Sequence, residues 1–248
     1  PQPLPRGTER VSVNSFSLTF KAGRGALDTI RRHGFDVSSV GTIAGASGGA
    51  KWLVLSQLDR AILGSVVPKL SGPVHLIGSS IGSWRFACYA QADPLAAIER
   101  FEAAYLEQTY SSKPDIHEIT AKSREIMDIV LGDNGVAEIL SNPLFRMHVM
   151  AVRSRHVMAS ENRFLLSIAL LTAALLNAAS RSTLGWSFER ALFYDERDVP
   201  PFFEVGGFPL QRVPLSAGNL ADAVVQPASI PLVLSGVRDI AGPRPGVY

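Results

Sequence analysis

The chain has 248 residues, of which 46% are hydrophobic and 19% charged, and this composition excludes a disordered chain because it supports a sizeable buried core. The 24 basic and 22 acidic residues leave a net charge of +2, which gives no electrostatic basis for binding nucleic acid. A single cysteine, Cys88, cannot form an intrachain disulfide or by itself hold a structural zinc, and it favours a reducing, cytoplasmic compartment.

The length suits one large α/β domain. Residues 1–10 are polar and proline-rich, with no apolar signal-peptide core, and we interpret them as a flexible N-terminal segment. We assign residues 11–248 to a single domain, because no low-complexity linker divides them.

Strand–turn–helix units repeat along the first third of the chain. The predicted elements, in order, are a strand over 11–20, a helix over 26–33, a strand over 37–44, a helix over 50–63, a strand over 74–77 and a helix from Trp84. Because strands that alternate with helices form parallel sheets with both faces covered, we expect a three-layer α/β/α sandwich with a mainly parallel central sheet.

The second half of the chain mixes amphipathic and wholly apolar segments. It contains predicted helices over 94–108 and 115–131, a strand over 147–151 and a long irregular surface segment over 195–214. The apolar run of residues 164–180 is 17 residues long, shorter than the about 20 that a membrane-spanning helix needs. Because its polar residues do not gather on one stripe, we predict a buried core helix, with contact with a lipid surface as the alternative.

The pentapeptide Gly45-Ala46-Ser47-Gly48-Gly49 has the G-x-S-x-G form of a nucleophile elbow. In such an elbow the serine lies on a sharp strand-to-helix turn, where side chains two residues away on either side would collide with the crossing helix. A predicted strand precedes the pentapeptide, and the helix that follows would stabilise a developing oxyanion with its N-terminus. We therefore predict Ser47 as a nucleophile, with an ordinary tight turn as the alternative.

A second pentapeptide, Gly78-Ser79-Ser80-Ile81-Gly82, has the same form and follows a predicted strand. The motif alone does not separate Ser80 from Ser47 as the nucleophile.

The glycine-containing turn over 21–25 favours Ser47. It lies one helix upstream, where its backbone N–H groups would reach the end of the adjacent strand and bind an oxyanion. We therefore prefer Ser47 and keep Ser80 as the alternative nucleophile. The predicted oxyanion hole consists of Ala22, Gly23, Arg24 and Gly25.

The order of these features resembles the patatin-like phospholipases. Arg24-Gly25 match the end of the family's glycine-rich oxyanion loop, residues 45–49 match its elbow, and residues 227–231 look like the Ala-Ser-x-x-x-Pro stretch before its last catalytic strand. The resemblance implies a patatin-like sandwich and a lipid acyl hydrolase, either phospholipase or carboxylesterase. Such an enzyme takes a phospholipid or another lipid ester, needs no cofactor and can contact a membrane peripherally.

The resemblance also implies a Ser–Asp dyad, in which an aspartate takes the serine proton directly. No Asp-Gly-Gly or Asp-Gly-Ala motif occurs in the sequence, which stops at Tyr248, where that motif is expected to begin. We therefore expect the base just beyond Tyr248, so that residues 11–248 would lack the C-terminal part of the domain, and we keep Asp239 as a second candidate. Lys21 and Ala22 depart from the family's run of three glycines.

Two other functions stay open. A domain that kept the elbow without the base would be catalytically latent and would bind a lipid or a partner. A Ser–His–Asp hydrolase of another topology would need a histidine downstream of the serine, and His148 and His156 are the candidates.

The remaining patterns predict no metal and no nucleotide. No group of His, Glu, Asp or Cys has ligand spacing, and neither phosphate-binding fingerprint is present. We interpret Cys88, Trp52, Trp84, Trp186 and the phenylalanines of residues 202–208 as packing groups, with a membrane-docking surface as the alternative for the phenylalanine loop. The oligomeric state stays open.

Overall fold

A computed structural model describes residues 21–160, 162–204, 206–225, 240–244 and 247–248. The chain divides into two units, residues 1–36 and 37–248, which we describe separately, so the assignment of residues 11–248 to one domain stays a prediction. The interpretation of residues 1–10 and the strand predicted over 11–20 lie outside the described residues.

The described part of the first unit contains one helix, α1, which spans Arg24–His33. Gly34 ends this helix with a φ of 79°, and its N–H donates to the carbonyl of Ile30 at 2.9 Å. A glycine stands there because this left-handed conformation is unfavourable for residues with a side chain. The predicted helix and its glycine cap are confirmed, although the helix begins two residues earlier than predicted.

The second unit contains a five-stranded sheet whose strands lie side by side in chain order. The strands are β1 (Thr42–Gly45), β2 (Val74–Gly78), β3 (Phe145–Ser154), β4 (Phe188–Tyr194) and β5 (Leu210–Pro214). The first three strands are parallel, β4 runs antiparallel to β3, and β5 is parallel to β4. An α/β fold with a mainly parallel sheet is therefore confirmed, and the antiparallel β3–β4 pair was not predicted.

Helices connect and cover these strands. They are α2 (Ser56–Ser65), α3 (Ile81–Tyr89), α4 (Pro94–Glu107), α5 (Ile116–Leu131), α6 (Gly135–Ser141), α7 (Arg163–Ala179), α8 (Leu184–Ser187) and α9 (Leu220–Val225). The predictions for α4 and α5 are confirmed, with Asp93 and Asp115 capping them by accepting N–H groups of their first turns. The helix predicted over 50–63 is wrong in its first part, which forms a 3₁₀ helix over Gly49–Leu55 ahead of α2.

Helix α3 lies at the centre of the core. All nine of its residues are buried, and it packs against β1, β2 and β3. On its other side, Trp84 stacks with Phe101 of α4 at a ring-centroid distance of 5.5 Å, and Phe101 stacks with Trp52 at 4.2 Å. The start of α3 is therefore held between the sheet and an aromatic cluster.

Helix α7 corrects the prediction of a buried core helix over 164–180. Phe164, Leu171 and Leu175 are 72%, 63% and 66% exposed, and Ala173 is the one buried side chain among the described residues of α7. The prediction is wrong because α7 packs on the 3₁₀ helix His156–Ala159 and on α8, at the periphery of the unit. No helix among the described residues is long and apolar enough to cross a membrane.

The aromatic predictions have mixed outcomes. Trp186 is 70% exposed, so its interpretation as a packing group is wrong, whereas Trp52 and Trp84 are buried as predicted. The segment over 195–214 is irregular until β5. Its described phenylalanines pack: Phe202 contacts the ring of His148, Phe203 the ring of Tyr194, and Phe208 the guanidinium of Arg190.

Candidate active site

Ser80 occupies a sharp turn between β2 and α3. Its φ of 53° and ψ of −132° lie in a region that residues with a side chain rarely adopt. Among the described non-glycine residues, this positive φ is shared with His156 and with no other. A strained serine between a strand and a buried helix is the geometry of a nucleophile elbow.

Three glycines make this turn sterically feasible. A Cβ atom on Gly78 would lie 2.5 Å from the backbone N of Ser83, and one on Gly82 would lie 2.2 Å from the carbonyl oxygen of Gly45. A Cβ atom on Gly45 would itself lie 2.8 Å from the ring of Phe86. The glycines two residues before and after Ser80 are therefore required by contacts with the crossing helix and the neighbouring strand.

Hydrogen bonds hold the turn in place. The carbonyl of Ser80 accepts the backbone N–H of Ser83 at 2.9 Å and its hydroxyl at 2.6 Å. The carbonyl of Ser79 accepts the N–H of Gly82 at 3.1 Å. The N-terminus of α3, with the positive end of its dipole, therefore lies next to Ser80.

Residues 45–49 do not form the predicted elbow. Gly48 and Gly49 face open space, since a Cβ atom on either would meet nothing within 4 Å. Ser47 is absent from the positive-φ residues, and the chain continues into a 3₁₀ helix instead of a crossing α-helix. The prediction that Ser47 stands on a strained strand-to-helix turn is wrong, because no other described part of the protein packs against Gly49, the glycine two residues after it.

The loop of residues 45–49 lies beside the Ser80 turn. Gly45 is paired with Gly78 in the β1–β2 register, and its carbonyl accepts the N–H of Ser79 at 3.2 Å. The Ser47 hydroxyl donates to the carbonyl of Ser79 at 3.4 Å. Ser47 is thus an exposed neighbour of the turn that carries Ser80.

The same loop presents free backbone amides. Within the part of the chain that the structure describes, the N–H groups of Ala46, Ser47 and Gly48 donate to no acceptor. Such amides at the end of the adjacent strand are what an oxyanion hole requires. The loop of residues 45–49 precedes Ser80 by one strand, as the turn over 21–25 precedes Ser47 by one predicted strand. This order of loop, strand and serine turn was the signal in the sequence that favours Ser80.

The turn over 21–25 belongs to the first unit. Ala22 and Gly23 precede α1, and Arg24 and Gly25 form part of its first turn, where the carbonyl of Gly23 accepts the N–H of Leu27 at 2.8 Å. The assignment of these residues to an oxyanion hole stays a prediction.

The assignment of the base stays a prediction as well. Asp239 and the block of residues 227–231 lie outside the described residues. Among the described residues, the Ser80 hydroxyl has no hydrogen-bond partner, and no group of His, Cys, Asp or Glu could hold a metal ion.

His148 does not fit the Ser–His–Asp alternative, because both of its ring nitrogens are engaged. The backbone N–H of Asp195 donates to its Nδ1 at 3.3 Å, and its Nε2 lies 3.0 Å from Nδ1 of His75. Burial lowers the pKa of His148 to about 3, so the ring is neutral. His148 therefore has a structural role within the sheet.

Cys88 is fully buried, as predicted for a packing group. Its burial raises the pKa of the thiol far above the ordinary range, so the reactive thiolate does not form.

Comparison of the chain with protein-family models found no match, and comparisons with curated proteins and with solved structures found none either.

Proposed function

We propose that this protein is a serine acyl hydrolase of the patatin-like type, a phospholipase or carboxylesterase with a three-layer α/β/α sandwich and Ser80 as its nucleophile. The observation that carries the proposal is the strained backbone of Ser80, enclosed by the close contacts of Gly45, Gly78 and Gly82. Strain of about 1–3 kcal/mol persists at a residue only where the surrounding structure enforces it, and such residues cluster at active sites.

Two sets of backbone amides support an oxyanion hole beside Ser80. The N–H of Ile81, the first residue of α3, has no acceptor among the described residues, and the same is true of the loop amides of Ala46, Ser47 and Gly48. Donors that are fixed in advance stabilise a developing negative charge without reorganisation, and one such donor contributes about 3–4 kcal/mol to catalysis.

The course of the last residues supports a base just beyond Tyr248. Ser154, at the end of β3, donates its N–H to the carbonyl of Val247 at 2.9 Å in an antiparallel bridge. The N–H of the next residue, Arg155, donates to Ser187 on the β4 side. Because successive N–H groups of a strand point in opposite directions, Val247 lies on the side of β3 that faces β2.

A chain that continued in this direction would run back along β3 toward Val149. Val149 is the register partner of Gly78, two residues before Ser80. The path from Ser154 to Val149 is five residues, or about 16 Å of strand. An aspartate within a few residues of Tyr248 would therefore approach Ser80 more closely than Ser47, because β1 lies on the far side of β2.

The proposed reaction is acyl transfer through a covalent intermediate. The carboxylate takes the proton of the Ser80 hydroxyl while Oγ forms a bond with the ester carbonyl carbon, and the carbonyl oxygen becomes an oxyanion held by the amides. The C–O bond to the alcohol then breaks, and the alcohol leaves with that proton. Water attacks the acyl-serine by the same steps and releases the fatty acid.

Fluorophosphonate labelling of the full-length protein tests this proposal. We expect the wild type to be labelled on the peptide that contains Ser80, and Ser80→Ala to abolish both labelling and the hydrolysis of a short-chain p-nitrophenyl ester. Ser47→Ala is the matched control, since it removes a hydroxyl from the same surface and leaves the turn intact. We expect it to retain labelling.

Retention of labelling in Ser80→Ala, with loss in Ser47→Ala, would overturn the assignment of the nucleophile. An unlabelled wild type that folds normally and hydrolyses no ester would instead favour the catalytically latent, lipid- or partner-binding domain.

A further inference from the structure

Helix α7 directs an apolar face away from the protein. Phe164, Ile168, Leu171 and Leu175 follow one another at the spacing of a single helical face, and all four are exposed. A helix on the surface of a water-soluble domain normally turns its apolar face inward. The exposure of this apolar face therefore requires an explanation other than packing in the core.

The opposite face attaches α7 to the protein. Ala173 is buried, and Leu166, Ala169 and Leu170 are half-buried. The helix is thus apolar on both sides, one packed and one exposed. Two elements that pack on α7 also expose apolar side chains, Val157 on the 3₁₀ helix His156–Ala159 and Trp186 on α8.

The outward face offers no directional contact to a partner. The hydroxyl of Thr172 donates to the carbonyl of Ile168 at 2.9 Å, inside the helix. The side chain of Asn162 caps the helix by accepting the N–H groups of Phe164 and Leu165. Protein interfaces carry about one hydrogen bond per 100–200 Å², so a face without polar groups fits acyl chains better than it fits another protein.

The net charge of the region around α7 indicates which kind of partner it binds. Residues 155–188 contain the arginines 155, 163 and 181 and a single acidic residue, Glu161, so this stretch carries a net charge of +2. This value equals the net charge of the whole chain, so the formal charges of all other residues sum to zero. A second copy docked face to face would bring two positive surfaces together, whereas an anionic membrane would attract this one.

We propose that this docking face, formed by Phe164, Ile168, Leu171, Leu175, Val157 and Trp186, binds the surface of an anionic lipid bilayer, with α7 parallel to the membrane plane. The apolar side chains enter the boundary between headgroups and acyl chains, and the exposed side chain of Arg181 contacts lipid phosphates. The proposal does not rest on the reaction of Ser80, because it concerns binding and not hydrolysis.

Vesicle sedimentation tests the docking face in the Ser80→Ala background, where no lipid would be cleaved. The probes are vesicles of phosphatidylcholine alone and vesicles with about a third phosphatidylglycerol. We expect binding to the anionic vesicles and at least about tenfold weaker binding after Leu171→Glu with Leu175→Glu, because each buried leucine contributes about 1.5–3 kcal/mol. Arg181→Gln should weaken binding about fivefold.

Leu106→Glu is the matched control, because Leu106 is an equally exposed leucine on α4, outside the docking face. It should bind the anionic vesicles like its parent.

Tryptophan emission gives an independent readout. Trp52 and Trp84 are buried, so a blue shift on adding anionic vesicles would come from Trp186 and should vanish in Trp186→Phe. Absence of binding to anionic vesicles, or equal loss of binding in Leu106→Glu, would overturn the proposal. So would a solution dimer that binds no vesicle and dissociates on Leu171→Glu with Leu175→Glu.

Discussion

The carbonyl oxygen of Gly45 lies 2.2 Å from the position that a Cβ atom of Gly82 would occupy. The backbone at the end of β1 thus touches the backbone in the first turn of α3. A colliding backbone atom cannot rotate aside as a flexible side chain does, so this contact fixes the distance between the strand and the helix. The turn that bears Ser80 is held from one side by this contact.

Gly82→Ala should therefore destabilise the protein. The added methyl group would force β1 and α3 apart, at a cost of about 2–3 kcal/mol in the free energy of unfolding, or about 5 °C or more in Tm. Thermal denaturation measures the change. Gly64→Ala is the control, because Gly64 lies in α2 with nothing within 4 Å of its added Cβ atom, and this variant should be as stable as the wild type or slightly more so. Equal melting temperatures for Gly82→Ala and the wild type would contradict the close contact.

Relief of backbone strain gives a second prediction, at Ser80 itself. Glycine adopts a φ of 53° with a ψ of −132° without a steric penalty, whereas alanine does not. Ser80→Gly should therefore be more stable than Ser80→Ala by about 1 kcal/mol, after the greater entropy of glycine in the unfolded chain is subtracted. Urea denaturation of the two variants measures the difference.

The same two substitutions, to glycine and to alanine, are made at Ser47 as the control for that comparison. Ser47 has no positive φ, so glycine gains nothing there and raises the entropy of the unfolded chain. Ser47→Gly should be no more stable than Ser47→Ala. If glycine gave no advantage at position 80, the strain argument for the nucleophile would fail.

The two serine motifs show what a sequence can predict about this site. The spacing of glycines around Ser47 and Ser80 limits the candidates for an elbow to two, because an elbow needs small residues at those positions. It could not choose between them. The difference is that Gly82 meets the backbone of Gly45, whereas Gly49 meets open space, and the first is a contact between residues far apart in the sequence.

Among the helices, too, the sequence predicts features that depend on local signals and not those that depend on distant contacts. Capping residues and glycine stops predicted α1, α4 and α5 because those signals are local. Hydropathy did not predict the exposure of α7, because an apolar helix is compatible with both a core and a docking surface, and the neighbouring elements decide. The strand predicted over 37–44 was shortened to β1 because Val37–Ser39 form a 3₁₀ helix.

A buried ion pair connects α3 to α2 and leads to a third prediction. Asp59 of α2 is fully buried, and its carboxylate accepts hydrogen bonds from Nε of Arg85 at 2.7 Å and from the hydroxyl of Tyr89 at 2.7 Å. The second guanidinium contact of Arg85 also reaches this carboxylate. Asp59→Leu should lower the free energy of unfolding by about 3–5 kcal/mol, because it leaves the guanidinium buried without a counter-charge.

Asp59→Leu combined with Arg85→Met separates this cause from simple loss of packing. Removal of both charges leaves no unpaired ion, so the double variant should recover most of the lost stability in urea denaturation. A double variant less stable than Asp59→Leu alone would show that the Arg85 side chain stabilises the fold by its packing, and would contradict the explanation by an unpaired buried charge.

The His75–His148 pair gives a prediction about pH. The N–H of Asp195 donates to Nδ1 of His148, so Nε2 of His148 carries a proton and donates it to Nδ1 of His75 at 3.0 Å. Both rings must be neutral in this arrangement. Burial lowers the pKa of both histidines in the folded protein, to about 3 for His148.

The unfolded chain binds a proton at each histidine below about pH 6.5, and the folded chain does not. The stabilisation is therefore complete above pH 6.5 and is lost as the pH falls toward 3. For His148 alone, the free energy of unfolding should fall by about 2 kcal/mol between pH 7 and pH 5. His148→Leu removes that contribution, so urea denaturation should show a shallower pH dependence than in the wild type, even though the variant is less stable at pH 7. His117→Gln is the control, because it removes an exposed histidine, and the slope of its unfolding free energy against pH should equal that of the wild type. Equal slopes in the wild type and His148→Leu would show that the buried ring does not resist protonation.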